Sequence, residues 1–544
     1  MFDHSGGNHG VAVAAPHGAA VDAARTVLEA GGNAVDAAVA AAAALTVVYP
    51  HMCSMGGDVI AILRRADGTQ VCINASGAYG SAAPADELFG SMKSMPITGP
   101  LTVSVPGAVS GWAALLEAGG SLPAATVLAP AIRLAREGVP VCPGLAEAIE
   151  HDRDALYADP GMRSKFVVAN RPVSEGQVLV QPELACTLED LAGEGLDSFY
   201  RGRTAALLAT GMRKLGVPVI EDDLHRHRPS VEQPLIRDFP GFSVATARPN
   251  SQGYTLLRSL GAAFAGSSSP TSVDAGVLAE IFYDSDEHRD AHLADPRHAR
   301  VEIEGLLTPH GYQRAFEQAA ARVAGFPRLA SAATPRPGGD TVGVTAVARD
   351  GTAVSLIQSV FHSFGSQLLE PETGLVLHNR AASFSLDAGS PNCVKAGQRP
   401  AHTLVPVIMT LDDGTVAAHG TMGGKAQSQI HTQLILRTLT GLTPQETVAA
   451  PRFVVGGFDA AGTNGKVLVE ASLEATAVEQ ISRTTLSITQ GKELDGYVGH
   501  SMIARVTARG SLDAGADPRS DGGALVFEGS PRNRFRSKPP DRTT

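Results

Sequence analysis

The sequence of 544 residues contains little cysteine, a single tryptophan and no excess of positive charge. Its five cysteines are widely scattered and form no C-x-x-C pair, so their spacing indicates neither a zinc site nor a disulfide framework. The formal net charge of −11 argues against a general binder of nucleic acids or anionic membranes, because phosphate contacts need clustered lysine and arginine. We expect the one tryptophan, Trp112, to be a core anchor.

A targeting segment and a long apolar run are also lacking. The first seven residues have neither a basic region nor an apolar one of the kind that signal peptides carry. The most apolar run, residues 37–48, is alanine-rich and too short to cross a bilayer. We therefore expect no membrane partner and a cytoplasmic location.

The overall composition, with 44% hydrophobic and 18% charged residues, is that of a soluble globular protein. A chain of this length exceeds one ordinary hydrophobic core, so we expect one very large domain or two to four subdomains. A helix pair followed by a strand hairpin at residues 19–73 indicates helices packed on a sheet. After residue 341, β-rich sequence dominates.

Periodicity, capping signals and turn residues predict the positions of the main elements. Predicted helices cover residues 19–29, 34–47, 106–118, 124–137, 145–157, 198–215, 254–264, 275–292 and 427–439. Predicted strands cover residues 58–64, a partner that ends at 73, and 234–236, 242–245, 342–348, 353–359, 374–377, 404–411 and 415–419. The helix at 34–47 has small side chains on every face, so we expect it to be buried between layers.

Two segments have the composition of irregular chain. Residues 326–340 are rich in proline, glycine and alanine and form the clearest linker in the sequence. Residues 530–544 are basic, polar and proline-containing, and we expect them to be a disordered tail.

One short run contains residue types that bind metal ions: Glu221-Asp222-Asp223-Leu224-His225-Arg226-His227. His225 and His227 are two residues apart, so they do not share a helix face. We therefore favour a solvated end of a helix over a metal site, and no other stretch indicates a metal or a cofactor.

The stretch with the most chemical content is residues 338–345, Gly-Gly-Asp-Thr-Val-Gly-Val-Thr. It joins the linker to an alternating strand, and an Asp350-Gly351 turn leads into a second strand, which predicts a hairpin. A threonine freed at a chain terminus supplies both a nucleophile and a base, because its α-amine titrates near neutrality and can take the proton of its own hydroxyl. Thr341 is therefore a candidate nucleophile, although the Gly-Gly-Asp-Thr string is weak evidence by itself.

Several short motifs in both halves of the chain support this interpretation. In the first half they are AGGNAVDAA at 30–38, MGG at 55–57 and SVPG at 104–107. In the second half they are DT at 340–341, DGTAVS at 350–355, FGS at 364–366, RP at 399–400, MGG at 422–424, APRF at 450–453 and DPRSDG at 517–522. Together, and in this order, they resemble the gamma-glutamyltransferase family of N-terminal nucleophile hydrolases over most of the chain. The resemblance implies an α+β fold, a four-layer αββα sandwich made as a single self-cleaving precursor.

The resemblance also implies where the chain is cut and what the fragments are. Cleavage would fall between Asp340 and Thr341 and give a large fragment, residues 1–340, that is helix-rich and holds part of the central sheets. The small fragment, residues 341–544, would be β-rich and catalytic. The two fragments would stay associated, with a homodimer or tetramer of such heterodimers as the expected assembly.

Four residues take catalytic roles by the same resemblance. Thr341 would attack the scissile carbonyl and form an acyl-enzyme, which water or an acceptor amine would release. Ser359 falls where the family has a second hydroxyl that steadies the new amine. Gly423 and Gly424 match the glycine pair whose N–H groups form the oxyanion hole, where a bare backbone can approach a tetrahedral intermediate closely.

The substrate-binding residues depart from those of the family members that cleave glutathione. Residues 73–77 lack the arginine that clamps the substrate α-carboxylate, and Ser383 stands where an acid holds the α-ammonium. Phe361 replaces an assisting asparagine, and His402 and Thr403 replace a serine pair. An α-amino acid head group should therefore bind poorly.

A new cation enters the same region. If Arg380 points into the pocket beside His402 and Thr403, it can bind a carboxylate through two hydrogen bonds. The alternative is that Arg380 pairs with a structural acid. The segments around these residues resemble a divergent branch of the family that includes oxamate amidohydrolase.

The leading hypothesis is a self-processing threonine amidohydrolase for a small, carboxylate-bearing amide such as oxamate. Alternatives within the family are a gamma-glutamyl hydrolase or transferase and an acylase of the cephalosporin type. The non-enzyme alternative is an unprocessed relative that only binds a ligand. None of these needs a cofactor, a metal or a nucleic-acid partner.

Overall fold

The computed structural model describes residues 10–82, 89–90, 92–267, 269, 272–323, 340–456 and 465–529. The predicted tail, 530–544, lies outside the described residues. The predicted linker, 326–340, also lies outside them apart from its last residue, Asp340.

Seventeen α-helices are formed by the described residues. They are α1 (Gly18–Glu29), α2 (Ala34–Val48), α3 (Ala108–Gly119), α4 (Ala124–Glu137), α5 (Pro143–His151), α6 (Arg153–Ala158), α7 (Pro160–Phe166), α8 (Pro182–Glu194), α9 (Ser198–Arg201), α10 (Arg203–Lys214), α11 (Glu221–Arg226), α12 (Gly253–Gly266), α13 (Ala275–His292), α14 (Pro309–Val323), α15 (Gln427–Thr438), α16 (Pro444–Ala449) and α17 (Ala475–Ser482).

The strands of the described residues are numbered in the same way. They are β1 (Val11–Ala15), β2 (Asp58–Arg64), β3 (Gln70–Asn74), β4 (Val139–Pro140), β5 (Val167–Val168), β6 (Arg171–Pro172), β7 (Val178–Leu179), β8 (Ser230–Glu232), β9 (Leu235–Phe239), β10 (Phe242–Thr246), β11 (Asp340–Ala348), β12 (Ala353–Phe361), β13 (Leu369–Glu370), β14 (Leu375–Val376), β15 (Val407–Leu411), β16 (Val416–Thr421), β17 (Phe453–Val455), β18 (Lys466–Val469), β19 (Ser487–Gln490), β20 (Ser501–Val506), β21 (Leu512–Ala516) and β22 (Gly523–Phe527).

Two large antiparallel sheets organise the molecule. The first has seven strands in the order β22-β1-β11-β12-β2-β3-β8, and the second has six in the order β21-β20-β16-β15-β10-β9. Strands from both sides of the predicted cut lie in each sheet. The two parts of the chain therefore share one hydrogen-bonded framework.

The hydrophobic clusters show how helices and sheets pack. One cluster joins α1, α2, α3 and α4 to inward-facing residues of the seven-stranded sheet. A second contains residues of both sheets, for example Ile60 and Ile357 with Ile408 and Ala418. A third packs the six-stranded sheet against α12 and α15. The fold is thus mixed helix and sheet, with apolar contact on both sides of each sheet.

The predicted buried helix is confirmed as α2. Asn33 accepts hydrogen bonds from the backbone N–H groups of Val35 and Asp36, and Asp36 Oδ2 accepts one from the backbone of Asn33. This capping box fixes the start of the helix. All fifteen residues of α2 are buried, as the small side chains on every face predict.

Two predicted helices are wrong in extent. The helix predicted at 145–157 is divided into α5 and α6 at Asp152, and the one at 198–215 is divided into α9 and α10 at Gly202. Gly202 has extended backbone angles, with φ −126° and ψ −158°, so the helical hydrogen bonds stop there. The sequence prediction also omitted β1, α14 and β20–β22.

The candidate metal run forms the short helix α11. His225 lies near Glu221, and His227 turns inward, where its Nε2 lies 2.9 Å from the hydroxyl of Ser110. The described residues contain no group of three potential metal ligands, here or elsewhere. Within the same residues, no helix is long and apolar enough to cross a membrane.

Candidate active site

Thr341 lies at the start of the predicted hairpin, which β11 and β12 form. The pairing of the two strands is regular from Val342 to Val347, but it shifts between Asp340 and Val342, so Thr341 occupies an irregularity of the strand. Its side chain is 2% exposed. Irregularities of this kind redirect one side chain out of the ladder, which here turns Thr341 towards Ser359.

Ser359 contacts both the candidate nucleophile and the bond to be cut. Its Oγ lies 2.9 Å from Thr341 Oγ1 and 2.6 Å from the carbonyl oxygen of Asp340. It also accepts a hydrogen bond of 2.8 Å from the backbone N–H of Phe361. A hydroxyl has one donor and two acceptor positions, so Ser359 can donate to Asp340 while it accepts from Phe361 and Thr341.

The glycine pair follows β16 at the same end of the structure. Gly343 packs so closely on β16 that a Cβ there would lie 2.7 Å from the carbonyl carbon of Gly420. Thr341 precedes Gly343 by two residues, and Gly423 follows Thr421 by two. The hairpin start and the glycine pair therefore each lie within three residues of a close backbone contact between β11 and β16.

The backbone of the glycine pair has an unusual conformation. Gly423 has φ +140° and Gly424 has φ +51°, and both residues are buried. Among the described residues, no backbone or side-chain acceptor is bonded to either N–H group. The carbonyl of Gly424 is held by the Gln252 side chain at 3.0 Å, and Met422 N–H donates to the carbonyl of His500. The loop is therefore fixed while its two donors are free for an oxyanion.

A cavity of about 510 Å³ lies on one side of this centre. All three predicted substrate-binding residues line it, together with several further polar groups. Its walls include Arg380, His402, Thr403, Phe361, His362, Ser383, Asn392, Arg289, Asp290 and Lys425. Lys425 directly follows the glycine pair, so the cavity opens beside the candidate oxyanion hole.

Arg380 is a buried cation with no acidic partner. It is 2% exposed, and no carboxylate of the described residues lies within ion-pair distance of it. Its Nη1 donates to Thr403 Oγ1 at 3.0 Å, its Nε has no acceptor, and its guanidinium carbon lies 3.3 Å from the centre of the Phe361 ring. Burial lowers the pKa of Arg380 to about 9, although the charge of Asp58 opposes this shift. Arg380 therefore makes no direct ion pair with a structural acid among the described residues, and Asp58 acts on it only at longer range.

His402 also lines the cavity, but both of its ring nitrogens are engaged. Nε2 lies 3.1 Å from Asp58 Oδ2, and Nδ1 accepts from the N–H of Leu404 at 3.3 Å. Burial lowers the pKa of His402 to about 4, so the ring is neutral at physiological pH. In this arrangement His402 offers substrate only its carbon edge.

Asp58 lies behind this wall and was not predicted as a site residue. Burial alone would raise its pKa, but interactions with His378 and His402 hold it below the usual value for aspartate. His378 Nδ1 lies 3.3 Å from the same carboxylate oxygen, Oδ2. Asp58 directly follows the MGG motif at 55–57, and that adjacency is the sequence signal that points to it.

Ser383 stands where glutathione-cleaving members carry an acid. Its hydroxyl hydrogen-bonds to the carbonyl oxygens of Arg380 and Ala401, each at 3.0 Å. It therefore fixes the backbone that carries Arg380 and provides no charge for an ammonium group.

A second cavity, of about 720 Å³, is lined by Asp340. It shares Ile97 and His362 with the smaller cavity. Burial, followed by the charge of Asp152, raises the pKa of Asp340 to about 7, and Ser363 opposes the shift. Although this cavity is the larger one, the three predicted substrate-binding residues line only the first, so the first is the better candidate for an anionic substrate.

Comparison with known proteins identifies the family. The profile of gamma-glutamyltranspeptidase matches residues 20–527. The chain belongs to the gamma-glutamyltranspeptidase family. It is accordingly an amide-bond hydrolase or acyltransferase, with the N-terminal nucleophile hydrolase fold.

Three similar members of the gamma-glutamyltranspeptidase family illustrate its range. The oxamate amidohydrolase proenzyme of Klebsiella pneumoniae is 35% identical, over 97% of this chain and 100% of its own. The glutathione hydrolase-like YwrD proenzyme of Bacillus subtilis is 33% identical, over 94% of this chain and 98% of its own. The crystal structure of the cephalosporin acylase of Bacillus halodurans is 30% identical and superposes with a TM-score of 0.83, over 97% and 100% of the two chains.

Proposed function

We propose that the protein is a self-processing amidohydrolase with Thr341 as nucleophile and with a carboxylate-bearing amide as substrate. The observation that carries the proposal is the buried guanidinium of Arg380, which has no acidic partner. A buried charge without a counter-ion is strongly destabilising, and an anionic ligand would compensate it. In this proposal the two large sheets are the inner layers of an αββα sandwich, which holds Thr341 at their common end.

Self-cleavage begins with Thr341 Oγ1, which attacks the carbonyl carbon of Asp340. The hydroxyl proton passes to the amide nitrogen of Thr341, the C–N bond breaks, and an ester joins the two residues. Ser359 supports this step because it contacts both the hydroxyl and the carbonyl oxygen. Water then hydrolyses the ester, which frees the carboxyl group of Asp340 and the hydroxyl and α-amine of Thr341.

The freed residue then acts on substrate. The α-amine accepts the hydroxyl proton, the oxygen attacks the amide carbonyl, and the N–H groups of Gly423 and Gly424 bind the oxyanion. The protonated amine gives its proton to the leaving nitrogen, and an acyl-enzyme remains. Water, activated by the same amine, hydrolyses it, while an amine in place of water gives transfer.

The substrate is recognised through its carboxylate. A carboxylate that enters the cavity can accept hydrogen bonds from the Nη groups of Arg380, since guanidinium binds carboxylates strongly. No acid stands at the Ser383 position for an α-ammonium, so gamma-glutamyl compounds lack one of their anchors. The relative that is named for oxamate is consistent with a substrate of this class.

A second candidate, an acylase for a longer dicarboxylic side chain, is favoured by the size of the cavity. About 510 Å³ is in the range that encloses drug-sized ligands, and oxamate fills only a small part of it. The structural similarity to a cephalosporin acylase also favours this candidate. Both candidates use Arg380 for the carboxylate and differ in the length of the acyl chain.

The test is an assay of the purified protein on a series of amides. The series is oxamate, the monoamides of succinic, glutaric and adipic acid, their methyl esters as uncharged controls, and a gamma-glutamyl anilide. We expect ammonia from at least one carboxylate-bearing amide, at least tenfold less from its ester, and none from a Thr341→Ala variant. Clear turnover of the anilide, with no ammonia from any acid in the series, would overturn the proposal.

A further inference from the structure

Phe361 has a backbone conformation that non-glycine residues rarely adopt. Its φ is +83°, at the last position of β12, where it pairs with Asp340. A bulky residue in this region is strained and keeps the conformation only when its surroundings enforce it. Such outliers cluster at functional sites, and this one lies two residues after Ser359.

Three contacts hold Phe361 in place. Its N–H donates to Ser359 Oγ at 2.8 Å, and its ring lies under the guanidinium of Arg380, 3.3 Å from the Arg380 Cζ to the ring centre. The ring of His362 stacks on it, with ring centres 4.0 Å apart and an angle of 26° between the planes. The backbone of Phe361 thus contacts the catalytic centre, while its side chain contacts the cation of the substrate cavity.

We propose that Phe361 is a positioning residue that links recognition of the substrate carboxylate to the alignment of Ser359 with Thr341. The proposal rests on the proposed function for the role of Arg380. Phe361 itself contacts no reacting atom and acts through these two neighbours.

The ring acts on Arg380 because the face of an aromatic ring attracts a guanidinium, most strongly where water is excluded. This contact uses the face of the guanidinium and leaves its N–H edge for a carboxylate. Without the ring, the guanidinium of Arg380 can adopt more than one orientation. A carboxylate then binds more weakly, because it must first order the cation.

The backbone acts on Ser359 because φ sets the angle between the peptide plane that carries the Phe361 N–H and the chain that follows it. With φ at +83° the N–H of Phe361 donates to Ser359 Oγ, which contacts Thr341. A side chain that cannot hold this φ would turn the N–H away. The serine hydroxyl would then rotate among other partners, and both self-cleavage and turnover would slow.

Three variants separate the two roles. Phe361→Tyr keeps the ring and serves as the conservative control. Phe361→Gly accepts positive φ without strain, so it keeps the N–H contact and loses the ring. Phe361→Leu loses the ring contacts that enforce positive φ, so it relaxes to an ordinary φ and loses the N–H contact as well. Self-cleavage is followed by denaturing gel, and KM and kcat are measured on the best carboxylate-bearing amide and on its methyl ester.

The expected results differ for each variant. Phe361→Tyr should match the wild type within about twofold in all measurements. Phe361→Gly should cleave itself at about the wild-type rate, with KM raised about tenfold for the acid and unchanged for the ester. Phe361→Leu should show the same rise in KM and, in addition, cleavage and kcat reduced about tenfold or more.

Two results would overturn the inference. One is that Phe361→Gly has the wild-type ratio of KM values for the acid and the ester. The other is that Phe361→Leu cleaves itself as fast as Phe361→Gly. A wild type that hydrolyses neither compound would instead refute the proposed substrate class, while the comparison of cleavage rates would still decide the role of Phe361 at Ser359.

Discussion

The hydroxyl oxygens of Thr341 and Ser359 lie 2.9 Å apart, and Ser359 Oγ is also 2.6 Å from the carbonyl oxygen of Asp340. One serine therefore contacts both the candidate nucleophile and the bond that Thr341 would cleave. The arrangement suits self-cleavage in the intact chain, and we expect the same serine to hold the new α-amine afterwards.

Removal of the Ser359 hydroxyl should slow self-cleavage. In Ser359→Ala the carbonyl of Asp340 loses its donor, and we expect cleavage about a hundredfold slower. The N–H of Phe361 is left without an acceptor, so unfolding free energy should fall by about 1–2 kcal/mol. Ser359→Thr keeps the hydroxyl and should cleave near the wild-type rate. Wild-type cleavage in Ser359→Ala, followed by mass spectrometry over time, would remove Ser359 from the reaction.

Substitution of Arg380 should slow hydrolysis of carboxylate-bearing amides and leave hydrolysis of their methyl esters unchanged. In Arg380→Gln we expect kcat/KM for a carboxylate-bearing amide to fall about a hundredfold, the equivalent of roughly 3 kcal/mol. Turnover of the corresponding methyl ester should change little, because it has no charge for Arg380 to bind. Equal losses on both compounds would show that Arg380 does not recognise the carboxylate.

The same substitution should not destabilise the fold. Arg380 is a buried cation without an acidic partner, so its replacement by glutamine should leave unfolding free energy equal or raise it by about 1–2 kcal/mol. Arg452 is the matched control, since it is fully buried and its Nη2 lies 2.6 Å from Asp517 Oδ2. Arg452→Gln should cost about 3–5 kcal/mol. Denaturant unfolding of the two variants measures both effects, and a loss in Arg380→Gln as large as in Arg452→Gln would contradict the account.

Asp340 should make the uncut chain less stable at high pH. Its pKa is raised from about 3.8 to about 7 by burial and by Asp152, so the folded state binds more protons than the unfolded one between these values. The stabilising contribution is complete below pH 4 and is lost as pH rises through 7. In a Thr341→Ala background, which stays uncut, Asp340→Asn should remove the part of the stability loss at rising pH that comes from Asp340. Thermal unfolding at pH 5 and pH 8 measures it, and parallel declines in both proteins would contradict the assigned pKa.

Much of the fold follows from local sequence signals. The capping box at Asn33 and the Asp350-Gly351 turn predict α2 and the β11–β12 hairpin, and both are confirmed. β1 was missed because its five residues are small, apolar and buried on both faces, so they give no alternating pattern. Pro309, at the first turn of α14, is the signal that could have located that helix.

The candidate site was predicted less completely, because its decisive features depend on contacts between distant segments. The sequence identifies Thr341, Ser359 and Arg380 as candidates, and the structure brings the first two into contact. The sequence does not reveal that Arg380 lacks a direct acidic partner. It also does not reveal that Asp58, 344 residues before His402, contacts that histidine. The positive φ of Phe361 is equally invisible, since phenylalanine at the end of a strand gives no sign of it.

The most direct test of the central claim is the intact mass and N-terminal sequence of the purified protein. We predict two chains, one ending at Asp340 and one of 204 residues, the 544 of the whole less 340, that begins with Thr341. We also predict that Thr341→Ala remains a single chain and is inactive on every amide. A wild-type chain that stays uncut after prolonged incubation yet hydrolyses its substrate, or a Thr341→Ala variant with measurable turnover, would contradict the account.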